Sequence, residues 1–293
     1  MSVHELGDVS AQNEERTNSN ENTKEDVNTS MKTGDQGPDV AEDLVPDVIL
    51  PSNFSKCSRG DLVILISRML SFLIQINDSA IKSEHNELTR FHSRVPPQIS
   101  VYDYLMRLTR YSALEPAVLI SSVYYIDLLS AIYPAFSLNS LTVHRFLLTA
   151  TAVASKGLCD AFCTNTHYSK VGGVQCSELH VLENEFLKRV NYRILPRDDN
   201  ILCCKMERQE GLFVTDTYPE GNVRGPNNGF NVLDTYYRKI IEIVGSYDSS
   251  PDKTKKAHYS MEPLLKKHEI EPSNKKRVLE DSEIKTNSNK KPA

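Results

Sequence analysis

Through the middle of this chain, apolar residues recur at three- and four-residue steps in one segment after another, a period that specifies helices. From Asp61 to Asn77 the stripe is Leu62, Leu65, Ile66, Met69, Leu70, Leu73 and Ile76, and Ser58 stands three residues before Asp61 as an N-cap with an acidic partner. A polar linker over 77–98 ends in Pro96-Pro97, where a helix cannot continue. Ser100 then caps a helix through Tyr111, with Val101, Tyr104, Leu105 and Leu108 inward. Glu115-Pro116 opens the next helix, since Pro suits a first turn. It runs through Ile132 and is apolar on nearly all sides, which predicts a central position. Tyr133-Pro134 closes it. Asn139 or Ser140 caps another helix reaching about Asp160, where Ala150, Ala152 and Ala154 allow close approach of a neighbour. A polar segment over 164–175 holds Gly172-Gly173, a turn signal. Ser177 caps a helix through Asn191, striped by Leu179, Leu182, Phe186, Leu187 and Val190. Pro196 terminates the short stretch after that helix, and Val232 to Val244 is one more amphipathic segment. No alternating strand series and no internal repeat interrupts this pattern, so it predicts an all-α bundle.

Charge marks where the bundle begins and ends. Residues 1–47 hold 12 acidic and 3 basic residues, whereas 249–293 hold 11 basic and 7 acidic. The stretch 48–248 is left without net charge, although the whole chain carries −5. Both flanks are poor in aromatics and rich in Asn, Ser, Thr, Lys and Glu, so they bury too little apolar surface to offset the entropy of ordering. The expected organisation is a disordered acidic tail (1–47), one domain (48–248) and a disordered basic tail (249–293). No uninterrupted apolar run approaches the roughly 18 residues of a membrane span, and Met1 to Ser10 is not a signal peptide. An intracellular, soluble protein is expected.

Six cysteines sit in or beside helical pattern, which favours reduced thiols over a disulfide framework. Cys159, Cys163 and His167 form a loose candidate metal or nucleophile cluster. Zinc sites favour tighter paired spacings, and a Cys–His nucleophile needs a third, orienting group. Buried structural Cys is the simpler account, and neither a metal nor a cofactor is expected.

Specific sequence blocks add a resemblance. Thr149-Ala-Thr-Ala-Val-Ala-Ser-Lys156 resembles the end of the third helix of a cyclin box, and Glu178-Leu-His-Val-Leu-Glu183-Asn-Glu-Phe-Leu-Lys-Arg-Val-Asn-Tyr192 resembles the fifth. Further matching blocks are Lys56-Cys-Ser-Arg59, Leu65-Ile-Ser-Arg-Met-Leu70, Tyr124-Tyr-Ile-Asp-Leu-Leu129, His144-Arg-Phe-Leu-Leu-Thr149, Lys156-Gly-Leu-Cys-Asp160 and Ser250-Pro-Asp-Lys253. From about Ile49 to Asp248 the chain is most similar to the fungal phosphate-pathway members of the cyclin family. The resemblance implies a single five-helix cyclin box with an added N-terminal helix and a C-terminal helix.

It also implies a role: a non-enzymatic regulatory subunit that binds and activates a cyclin-dependent kinase. Lys156 and Glu183 would be its polar contacts to the kinase, surrounded by Leu158, Leu187 and Tyr192. Asp160 lies four residues after Lys156 on the same helix, so it shares a face with it and would enter the arginine cluster that otherwise gathers an activation-loop phosphate. The first box helix, Val101 to Tyr111, lacks the Met-Arg-Ala-Ile-Leu signature of cell-cycle cyclins, so substrate or inhibitor docking is expected elsewhere, around Arg145, Lys170 and Glu178. By resemblance the substrate is a basic helix-loop-helix transcription factor phosphorylated at Ser-Pro sites. An ankyrin-repeat protein is the expected kinase inhibitor. The basic run Lys275-Lys276-Arg277 is consistent with the nucleus, with the cytoplasm as a second location. A cyclin-fold transcription adaptor that binds DNA or initiation factors is the alternative. It expects two boxes and a basic face, whereas 48–248 holds 20 acidic and 20 basic residues. A Cys-dependent hydrolase is a third reading, without a visible base or oxyanion site.

Overall fold

The computed structural model describes residues 46–80, 87–210, 229–246 and 257–263. The acidic tail through residue 45 and the residues from 264 on, with Lys275-Lys276-Arg277, lie outside the described residues, as does Ser250-Pro251. Among the described residues the helices are α1 (Arg59–Ala80), α2 (Val101–Tyr111), α3 (Pro116–Ile132), α4 (Val143–Leu158), α5 (Asn165–Gly172), α6 (Cys176–Arg189), α7 (Asp198–Glu210) and α8 (Phe230–Val244). Two four-residue strands, β1 (Asp47–Leu50) and β2 (His258–Met261), pair in parallel with Val48 opposite Tyr259.

The uniformly apolar helix is the axis of the molecule. Every residue of α3 from Val118 to Leu129 is buried, and α1, α4, α7 and α8 pack around it. Its polar atoms are used to hold neighbours, as buried polar groups must be. Tyr125 donates its phenol hydrogen to the Ile194 carbonyl at 2.7 Å. Asp127 accepts from the Tyr236 hydroxyl at 2.8 Å, which fastens α8. Tyr124 donates to the Arg197 carbonyl and accepts from Asn200 Nδ2, both at 3.1 Å, which fastens the start of α7.

Helix starts obey local chemistry. Ser58 Oγ accepts from the Asp61 amide at 3.1 Å and donates to its carboxylate at 2.6 Å. Ser100 does the same with Asp103, at 3.0 and 2.6 Å. These are reciprocal caps for α1 and α2. Asn139 and Thr142 close a similar turn before α4: Asn139 Oδ1 accepts from the Thr142 amide at 3.1 Å, and Thr142 Oγ1 from the Asn139 amide at 2.9 Å.

The structure corrects several expectations. The polar segment 164–175 contains α5, capped by Thr164, whose Oγ1 accepts from the His167 amide at 3.3 Å. It ends on Gly173 at φ +72°, a left-handed C-cap that a side chain strains. With α5 in place, α2 to α6 make up the five box helices. Ser177 lies inside α6, and Gln175 holds the N-cap position without a side-chain bond. Pro196 precedes a further helix, α7. In the linker 77–98, Phe91 is fully buried, its ring edge-on to Phe136 at 5.5 Å and to Phe146 at 6.3 Å.

The basic tail begins later than residue 249, because β2 joins the fold. Arg68, buried on α1, donates to the Ala257 carbonyl at 3.0 Å and lies 5.1 Å from the centre of the Tyr259 ring. Those contacts explain a strand that sequence alternation does not announce. α1 also corrects the membrane argument: it is long and apolar enough to cross a bilayer by composition, with mean hydropathy 1.4. Here it is a core helix, with Leu62, Leu65, Ile66, Met69, Leu70 and Leu73 buried in the bundle.

Candidate functional site

Two sequence-distant charges meet where α4 ends beside α6. Lys156, in the last turn of α4, pairs through Nζ with Glu183 Oε1 on α6. Asn165, the first residue of α5, completes the group: its Oδ1 accepts from Lys156 Nζ, and its Nδ2 donates to Glu183 Oε2 at 2.6 Å. The side chains of Lys156 and Glu183 are 30% and 10% exposed, so the pair is mostly withdrawn from water, with Lys156 at its open side. Lys156 near a helix C-terminus is also favoured by the helix dipole.

Apolar residues neighbour this pair along the chain. Leu158 and Leu187 are partly buried against the core. Tyr192 is 62% exposed and stands at φ +57°, its amide bonded to the Leu187 carbonyl at 2.8 Å. Gly157 lets the chain close here, because a Cβ at that position would meet Ile194 Cδ1 at 2.7 Å. Lys156 and Leu158 close α4, Leu187 follows Glu183 by one turn on the same face of α6, and Tyr192 is tied to Leu187, so these residues make up a seam where the two helices meet. The seam offers one cation, one anion and exposed apolar surface, a composition suited to a protein partner.

Asp160 is placed otherwise than expected. α4 ends at Leu158 and Cys159 is extended (φ −116°, ψ 140°), so no helical face joins Asp160 to Lys156. Lys156 turns to Glu183 and Asn165, and Asp160 is exposed beyond the helix end. Burial pushes the Cys159 thiol up from its usual range. His167 Nε2 bonds the Tyr111 carbonyl at 2.9 Å. Among the described residues no group of three or more His, Cys, Asp or Glu side chains is arranged to hold a metal ion.

Two of the three expected docking residues meet elsewhere. Arg145 on α4 pairs with Glu178 on α6, and Arg145 Nη1 also donates to the His92 carbonyl at 2.5 Å. Both line a cleft of about 720 Å³ together with Arg94, Arg107, Ile99 and Tyr104. Lys170 does not line it; its side chain is exposed, and its carbonyl accepts weakly from Arg107 at 3.5 Å. His144, on the cleft wall, bonds the Ile99 carbonyl through Nε2 at 2.9 Å, and burial pushes its pKa down. Burial likewise lowers His92. Sequence spacing misses Asn165, Arg94 and Arg107. A cap at Thr164 is the only local signal that Asn165 opens a helix, and nothing in spacing joins residues 94, 107 and 145.

Comparison with known proteins decides the family. The family model described as Cyclin matches residues 6–194. The chain belongs to the cyclin family. It is 55% identical to the PHO85 cyclin PHO80 of Saccharomyces cerevisiae over 245 residues, 80% of this chain and 84% of that protein. It is 49% identical to the Nuc-1 negative regulatory protein preg of Neurospora crassa over 170 residues, 57% of this chain and 35% of that longer protein. Cyclin-U4-1 of Arabidopsis thaliana is 30% identical over 146 residues, 49% of this chain and 70% of that one. The likeness to fungal phosphate-pathway cyclins is therefore established. As a cyclin, the chain is a non-catalytic regulatory subunit acting with a cyclin-dependent kinase.

Proposed function

We propose that this cyclin engages its kinase through the seam at the end of α4 and holds the kinase αC helix inward. A protein kinase is inactive while αC is displaced, because the Lys–Glu ion pair that orients the ATP phosphates is then broken. An apolar surface pressed on αC and its approach fixes that helix; Leu158, Leu187 and Tyr192 supply the surface, and Lys156 and Glu183 bond the polar backbone beside it. The observation that carries this reading is the Lys156–Asn165–Glu183 network, a pre-ordered pair of opposite charges at an apolar rim. Asp160, exposed past the helix end, is free of Lys156 and reaches outward to the arginine cluster of the kinase, partly replacing a phosphothreonine. A lone carboxylate has less charge and fewer acceptors than phosphate, so the replacement is partial.

The substrate is a basic helix-loop-helix factor of phosphate-responsive genes, phosphorylated at Ser-Pro sites and so negatively regulated. The complex is nuclear, with a cytoplasmic fraction, and an ankyrin-repeat protein inhibits it. Arg145 and Glu178 dock these proteins at their cleft, with Lys170 alongside. Support comes from the relatives: one is named as a cyclin of PHO85, the other as a negative regulator of Nuc-1. Reconstitution tests the reading. The chain plus its kinase should phosphorylate Ser-Pro peptides while the activation loop is unphosphorylated, and Asp160→Ala should reduce that rate about tenfold, the loss of one charged hydrogen bond. Full activity of the Asp160→Ala complex contradicts the arginine-cluster role.

A further inference from the structure

The cleft holding Arg145 and Glu178 has a charge pattern that constrains what it accepts. Three guanidinium groups, Arg94, Arg107 and Arg145, line it against one carboxylate, Glu178. Glu178 is engaged by Arg145, so its charge is neutralised within the wall. Arg94 and Arg107 are exposed. The one bond of Arg107 to a carbonyl is long, 3.5 Å, leaving nearly all of its five donors for something else. Burial pushes the pKa of His92 and of His144 down, which disfavours a positive charge on either ring. The cleft thus presents two fork-shaped cations that no described carboxylate pairs within 4 Å, and the exposed Lys170, whose carbonyl meets Arg107, stands next to them.

Shape and apolar lining indicate a peptide. Pro97, Ile99, Tyr104 and Val174 line the same cleft, and the wall at Gly173 carries no side chain. A volume of about 720 Å³ exceeds any one side chain and accommodates several residues of extended chain. Nucleic-acid affinity grows with the number of phosphates neutralised, and the two guanidinium groups free in this cleft would neutralise few.

We propose that the cleft docks an acidic segment of the protein substrate, with Asp or Glu carboxylates on Arg94 and Arg107 and an intervening apolar side chain against Ile99 and Tyr104. Arg145, held by Glu178 and the His92 carbonyl, forms part of the cleft wall. Arg–carboxylate pairs supply geometric choice as well as attraction, so the segment would be docked in register. This proposal rests on the docking role given to Arg145 and Glu178 above and adds the chemistry of what docks.

The probe is a fluorescein-labelled ten-residue peptide with Asp and Glu flanking Leu, titrated by anisotropy into the full chain bound to its kinase. An Asn/Gln version of equal length and a phosphoserine version are its comparisons. The acidic peptide should bind, the neutral one at least about tenfold more weakly, and higher salt should weaken the first far more than the second. Arg94→Glu with Arg107→Glu should weaken the acidic peptide at least about tenfold while the melting temperature of the chain is retained. Equal binding of the neutral peptide, or no effect of the reversals in a folded variant, overturns the proposal. A phosphoserine peptide binding more than about tenfold tighter than the acidic one also overturns it, since phosphate is then the ligand. So does acidic-peptide binding that appears only after deletion of residues 2–45, since the chain's own acidic segment is then the occupant. The two levels separate cleanly. If Arg145→Ala abolishes capture of the whole substrate while acidic and neutral peptides bind alike, docking stands and the acidic chemistry falls. If Arg145→Ala leaves capture intact, the docking role itself falls.

Discussion

Asn165→Ala tests whether the Lys156–Glu183 pair is an ordered device or a chance contact. Asn165 bonds both charges, accepting from Lys156 Nζ and donating to Glu183 Oε2 at 2.6 Å. A charged hydrogen bond contributes about 1.5–3 kcal/mol when well shielded. Lys156 is 30% exposed, so water replaces part of what Asn165 supplied to it, whereas Glu183 at 10% loses its donor with little compensation. The expected cost is about 1–2 kcal/mol for the two bonds together. In a domain of about 150–250 residues, each kcal/mol lowers Tm by about 2–4 °C, so circular dichroism should record a fall of roughly 2–8 °C. A double-mutant cycle with Glu183→Gln isolates the shared term. The two changes should be non-additive by at least about 0.5 kcal/mol, because each removes a partner of the other. Additive effects together with a Tm change below about 1 °C would refute the reasoning.

Other changes probe the fold that carries the seam. Phe91→Ala should cost about 3–5 kcal/mol by chemical denaturation, because its buried ring packs edge-on against both Phe136 and Phe146, whereas Leu88→Ala, 82% exposed, should cost almost nothing. Gly157→Ala brings a methyl against Ile194 Cδ1, the movable end of that side chain, and should destabilise by about 1 kcal/mol; adding Ile194→Val, which removes that carbon, should recover most of the loss. Burial lowers the pKa of His144, so the folded state binds its proton more weakly than the unfolded chain does. Its stabilisation is present above the unfolded value of about 6.5 and fades as pH falls below it. Tm should therefore drop between about pH 7 and pH 5, and His144→Gln should flatten that slope; an unchanged slope would assign the acid sensitivity to other groups.

Legibility in the sequence tracks how locally each feature is encoded. α2 and α3 start where Ser100 and Pro116 place them, since a cap and a fixed φ act within one turn. α5 is hidden because it buries only Tyr168, Ser169 and Val171, too few positions to show a helical period. α7 defeats the pattern more thoroughly: Leu202 and Met206 are exposed, while Glu207 is buried by a paired bond to Arg193 at 2.7 and 2.8 Å. β2 depends on Arg68, a charge that interrupts an apolar stripe and turns out to be the group that holds the strand. At the seam, Lys156 and Glu183 are legible through resemblance rather than period, and the structure brings them together. Asn165 stays unseen because its role requires three helices to converge. Arg145 and Glu178 stand out in the sequence as charges, yet their being one ion pair in one cleft is a fact of tertiary structure. Asp160 is misplaced by one assumption, that α4 continues two residues further than it does.

The most direct measurement exchanges the two charges of the seam, Lys156→Glu with Glu183→Lys, and determines affinity for the kinase catalytic subunit by titration calorimetry. The exchange preserves an internal ion pair, and an Asn165 amide flip can satisfy both partners, so Tm should stay near that of the parent chain. The polarity offered to the kinase is inverted, and affinity should fall at least about tenfold, with activation of the kinase lost in parallel. Undiminished affinity in a chain that melts normally would contradict the claim that this seam is where the kinase is held.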